Sequence, residues 1–102
     1  MKTLYSISLS ALLSVGLLSS AFAYEDLAKM EKKIKAFDLI SIEEAERIAL
    51  QAKPGVITDL EIDDIDNDSG WKYEAEIADE QGYEWDVDIH AKTGEVLNVR
   101  RD

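Results

Sequence analysis

The chain has no cysteine, one proline and one histidine in 102 residues. Without cysteine, no disulfide can brace the fold and no thiol can act as nucleophile or lipid anchor. One histidine and no thiol exclude a zinc site of ordinary composition. No serine or lysine stands near an evident base, so nucleophilic catalysis has no support. Basic residues are also scarce: 11 Lys and Arg face 22 Asp and Glu, for a net charge of −11. Nucleic acid and anionic membrane surfaces are poor partners for such a chain.

The N-terminus is the apolar part. MKTLYSISLSALLSVGLLSSAFA places one lysine before a leucine- and serine-rich run that ends in Ala21-Phe22-Ala23. This is the layout of a secretory signal peptide, and it predicts cleavage before Tyr24 and a periplasmic or secreted location. The run is short and serine-rich for a membrane anchor. Residues 1–23 carry Lys2 and no acid, so residues 24–102 hold 10 basic against 22 acidic side chains, a net of −12. A domain of that size buries only about 60% of its unfolded surface, so its stability is expected to be modest.

The stretch Trp71 to Val99 organises the rest. Trp71, Tyr73, Ala75 and Ile77 alternate with Lys72, Glu74 and Glu76. Tyr83, Trp85, Val87 and Ile89 alternate with Glu84, Asp86, Asp88 and His90. A period of two marks half-buried strands. Glu80-Gln81-Gly82 and Lys92-Thr93-Gly94 read as hairpin loops whose last residue is left-handed. The expected register sets Ile77 opposite Trp85, Ala75 opposite Val87 and Tyr73 opposite Ile89. It then sets Ile89 opposite Leu97 and Val87 opposite Val99. Trp71 and Trp85 are expected in the core.

Upstream, Leu27, Met30, Ile34 and Phe37 mark one face of a helix over 25–38, and Lys29, Lys32, Lys33 and Lys35 make its remainder basic. Ser41-Ile42-Glu43-Glu44 is a capping box, opening a helix over 41–53 whose stripe is Ile42, Ala45, Ile48, Ala49 and Ala52. Lys53-Pro54-Gly55 ends it. A first strand over 56–63 turns Val56, Thr58, Leu60 and Ile62 inward. The fold class is α+β: helix 41–53 on a four-stranded antiparallel meander (56–63, 71–78, 83–91, 95–100), preceded by helix 25–38.

This order of elements resembles the PepSY domain. The matching pieces are Ile42-Glu43-Glu44-Ala45 with Ile48-Ala49-Leu50, then Pro54-Gly55, then Tyr73-Glu74-Ala75-Glu76-Ile77. Gly82-Tyr83-Glu84-Trp85-Asp86-Val87 and the ending Asp88-Ile89-His90-Ala91-Lys92-Thr93-Gly94-Glu95-Val96-Leu97 complete the set. Ile89-His90 stands between an Asp and an Ala that are usually adjacent. The resemblance covers about residues 40–99 and implies one helix on an antiparallel sheet in a secreted or membrane-exposed setting. It links the chain to propeptides of thermolysin-like metallopeptidases, for which restraint of peptidase activity has been proposed. It implies no catalytic residues and no enzyme activity.

Two acidic groups are candidate sites. The outer sheet face would carry Asp59, Glu74, Glu76, Asp86 and Asp88. With Ile62 opposite Trp71, Asp59, Glu74 and Asp88 form a row across three strands, with Glu76 and Asp86 beside it and Arg100 opposite Asp86. Such a face suits a basic protein partner or a cation, and a plainly solvated face is the alternative. Asp64-x-Asp66-x-Asp68 resembles the start of a calcium loop. Its glycine falls at position seven and Ala75 stands at position twelve, so an acidic turn is the competing reading. The expected function is a non-enzymatic protein-binding module, a regulator or inhibitor of a peptidase or sensor protein, with no cofactor. The alternative is a calcium-binding or sensing protein.

Overall fold

The computed structural model describes residues 26–65 and 70–102. The signal-like segment and the expected start of the mature chain lie outside them, as do Asp66 and Asp68. Two helices precede a four-stranded sheet: α1 (Leu27–Phe37), α2 (Ile42–Ala52), β1 (Val56–Asp64), β2 (Trp71–Ala78), β3 (Glu84–His90) and β4 (Val96–Arg101). The strands are ordered β1-β2-β3-β4, each antiparallel to the next. This is the expected meander.

Local chemistry sets the helix ends. The Ser41 hydroxyl accepts from the Glu44 N–H at 3.1 Å, as a cap should. The Glu44 carboxylate turns forward to Arg47. Asp26 caps α1 by accepting from the Lys29 N–H. Asp38 ends it in a left-handed conformation, φ 57°, which aspartate tolerates better than most residues. The chain then reverses, and the Ile40 N–H donates to the Ala91 carbonyl at 2.8 Å.

The core lies between α2 and the inner sheet face. Leu60, Tyr73, Ala75, Ile77, Val87 and Ile89 are buried from the strands, and Ala45 and Ala49 from the helix. The small alanine side chains let helix and sheet approach closely. Tyr73 is fully buried, and its hydroxyl donates to the Ile40 carbonyl at 2.6 Å. Burial of the ring and hydroxyl pushes the Tyr73 pKa up. Helix α1 is docked too. Met30 is buried and Ile34 packs on the core, while Leu27 and Phe37 stay exposed.

The β2–β3 register is the expected one, with Ile77 opposite Trp85, Ala75 opposite Val87 and Tyr73 opposite Ile89. Gly82 and Gly94 both take positive φ, 88° and 83°, as the two hairpins require.

Three expectations are corrected. First, Ile89 faces Val96, not Leu97, while Val87 does face Val99. The turn closes with the His90 N–H on the Glu95 carbonyl, and the Ala91 N–H bonds the Trp71 carbonyl instead. Closing one residue early forces the register shift between Asp88 and Ile89. Second, Ile62 faces Tyr73 rather than Trp71. A second shift, at Thr58, turns Ile57 toward Ile77 and leaves Val56 exposed. Third, Tyr83 precedes β3 and is exposed, and Trp71 and Trp85 are only half-buried. Each of these rings lies beneath a cation: Lys33 over Trp71, Lys53 over Trp85 and Arg101 over Tyr83. These three rings rim the core, whereas the Tyr73 ring lies inside it.

Candidate functional site

Side chains on alternate residues project from the sheet face opposite the helices. The register sorts them into rows. Asp59 stands opposite Glu76, Glu76 opposite Asp86, and Asp86 opposite Arg100. In the next row Glu61 stands opposite Glu74, Glu74 opposite Asp88, and Asp88 opposite Asn98. Asp59 therefore joins Glu76 and Asp86, not Glu74 and Asp88 as the sequence register placed it. The β1–β2 pairing is the cause: Ile62 faces Tyr73, two residues from the expected Trp71, and the same offset carries Asp59 to Glu76. All five residues expected on this face are still neighbours on it, and Glu61 joins them.

The two rows differ in electrostatics. The second is compensated: the Lys72 ammonium reaches Glu74 at 3.2 Å and Asp88 at 3.3 Å. Burial works against the Lys72 charge, but the two carboxylates outweigh it and hold its pKa above the usual lysine value. Asp88 is only 8% exposed, and its Oδ1 is buried without a hydrogen-bond partner. Oδ2 alone carries the contact with Lys72.

The first row is less balanced. Arg100 donates to the Asp86 carboxylate at 2.9 Å. Asp102, at the end of β4, comes close to Asp86 and Glu76, so that one ligand atom of each lies within 4.8 Å of the others. Partial burial raises the Glu76 pKa, and Asp86, Glu84, Asp59 and Asp102 raise it further. Asp86 is likewise raised by burial and by Asp102, against the opposing pull of Arg100. These carboxylates lose part of their hydration while facing like charges.

Asp102 was not among the residues singled out from sequence. Its place depends on the Asp102 N–H bonding the Glu84 carbonyl at 2.9 Å, which carries β4 pairing to the last residue. Only the β3–β4 register could have revealed it. Of the Asp64-x-Asp66-x-Asp68 run, Asp64 sits exposed at the end of β1, and the other two acids lie outside the described residues.

Comparison with known proteins gives the family. The PepSY family, described as "Peptidase propeptide and YPEB domain", matches residues 39–100, and the chain belongs to it. The chain is also 38% identical over 63 residues to an uncharacterised protein, YkoJ, of Bacillus subtilis (strain 168). That match covers 62% of this chain and 36% of the relative, so the chain spans about a third of the relative's length. No solved structure matches significantly.

Proposed function

We propose that this PepSY domain is a non-enzymatic binding module that works outside the cytoplasm, and that its acidic sheet face docks a basic surface of another secreted or periplasmic protein. The observation that carries this reading is the row Asp59, Glu76, Asp86. Three carboxylates stand side by side across adjacent strands, about 5 Å apart from strand to strand. Cross-strand like charges destabilise a sheet. A basic partner would relieve the repulsion on binding, and so gain from an arrangement that costs the free domain stability. Among the described residues, no helix is long and apolar enough to cross a membrane. A peptidase or a sensor ectodomain is the partner class that the family resemblance suggests, with binding in trans.

The test is association measured at low and high salt. At 0.1 M ionic strength, exposed charges more than about 10 Å apart are largely screened from each other, and higher salt shortens that reach. Binding through this face should weaken steeply as salt rises, and should weaken in the double variant Asp59→Asn, Glu76→Gln. Association indifferent to both would remove the proposal.

The convergence of Glu76, Asp86 and Asp102 favours a second reading, a divalent-cation site built from hard oxygen ligands. Calcium would then raise the melting temperature by mass action. Asp102→Asn would abolish the rise if the sheet cluster holds the ion. Asp66→Asn with Asp68→Asn would abolish it if the loop does.

A further inference from the structure

Clefts on the described surface differ in charge. One beside α1 is lined by Asp26, Glu61 and Asp63 among others, and one beside Pro54 by Asp79 and Glu80. Another, about 320 Å³, is lined by Phe37, Leu39, Gly70, Trp71, His90 and Lys92. It has no carboxylate in its lining, in a chain where acids outnumber bases two to one.

Its walls are apolar and aromatic. The Phe37 and Trp71 rings meet at a tilt of 34° with centroids 5.0 Å apart, and Phe37 remains 45% exposed. Packing has left a large ring at the surface, next to another. Lys33 sits 5.0 Å from the Trp71 ring centre. Across the cleft, the Lys92 ammonium donates to the Phe37 carbonyl at 2.9 Å. Its nearest acid, Asp38, is 3.9 Å away and has a side chain 97% exposed, so that pairing neutralises little.

His90 supplies the directional group. Its Nδ1 accepts from the backbone N–H of Lys92 at 3.2 Å and of Thr93 at 3.4 Å. An Nδ1 that accepts cannot carry the proton, so in the neutral ring the proton is on Nε2. Nε2 faces the Gly70 side of the cleft: a side chain at Gly70 would begin 3.7 Å from it. The turn that ends β3 thus fixes the ring, and with it an N–H donor in a cleft that Phe37, Trp71 and Lys92 also line.

We propose that this cleft binds the C-terminal carboxylate of a partner polypeptide that ends in a large apolar residue. The terminal side chain would lie against Phe37 and Trp71. The carboxylate would meet the His90 Nε2–H and the Lys92 ammonium. Apolar walls with a few convergent polar groups are what a small recognition site needs, and capture of a terminal carboxylate is an established mode of peptide recognition. None of the acidic residues of the outer sheet face lines this cleft, so the proposal does not depend on docking at that face.

N-acetyl-L-phenylalanine is the probe, and its C-terminal amide the control. Both are titrated into isotope-labelled protein while amide and indole resonances are followed by NMR. The expected result is saturable shifts at Trp71, His90 and Lys92 in the millimolar range, with the amide about tenfold weaker. Lys92→Ala should weaken the acid and leave the amide unchanged. This exposed residue lies in a turn, so the variant should fold, and its unperturbed core resonances would verify that. Equal binding of acid and amide, shifts centred elsewhere, or no saturable shift would each overturn the proposal.

Discussion

The Asp79 carboxylate holds the Trp85 indole across the β2–β3 turn: Oδ2 accepts from Nε1 at 2.9 Å. Its other oxygen accepts from the backbone N–H groups of Gln81 and Tyr83. The indole bond, followed by these backbone bonds, holds the Asp79 pKa below the usual carboxylate value. A depressed carboxylate pKa contributes stability that is present above the unfolded-state value. That contribution is lost as pH falls through the folded-state value. The turn should therefore loosen below about pH 4, near the ordinary aspartate pKa. Trp85 fluorescence should report it, and in Asp79→Asn that acid step should vanish. A step of the same size in the variant would contradict the account.

Glu76 titrates in the opposite sense. Its folded-state pKa is raised, first by burial and then by neighbouring acids. Its ionisation therefore costs stability as pH rises through that value, and protonation restores it. Glu76→Gln should raise the melting temperature at neutral pH by about 2–4 °C, equivalent to roughly 0.5 kcal/mol in a domain of this size. The gain should shrink below about pH 4, where the wild-type group is also neutral. Thermal melts at the two pH values check both the sign and the fade.

Tyr73 ties the sheet to the link between the helices. Tyr73→Phe removes the donor to the Ile40 carbonyl and keeps the ring. The expected loss is about 1–2 kcal/mol, read from denaturant unfolding. No change would mean that water satisfies the carbonyl equally well.

Helix α1 is held chiefly by Met30, which is 3% exposed. Met30→Ala should cost about 2 kcal/mol or more, because the site loses both transfer energy and packing. An undestabilised variant would mean that α1 is not docked in solution.

Much of this fold can be read from residue patterns. The alternation from Trp71 to Ile89 specifies β2 and β3 because a slip of one residue would turn Tyr73, Ala75, Ile77 and Val87 to solvent. Ser41 and Glu44 mark the start of α2 because capping is a local interaction. The pairing offset between β1 and β2 and the shift near Leu97 are not local in origin. They follow from where the hairpins close, at Ile65–Gly70 and His90–Glu95. For that reason the row of Asp59 and the place of Asp102 cannot be read from local patterns. Trp71 and Trp85 look like core by hydrophobicity. Their position at the sheet ends lets Lys33 and Lys53 cover them instead.

The acidic sheet face is proposed to dock a basic partner. Its most direct test is a paired capture from the native secreted or periplasmic fraction, using the wild-type domain and the Asp59→Asn, Glu76→Gln variant. The expected result is a protein with a basic surface that the wild type retains at low salt, that elutes as salt rises, and that the variant fails to hold. The same proteins retained by both, through high salt, would contradict it.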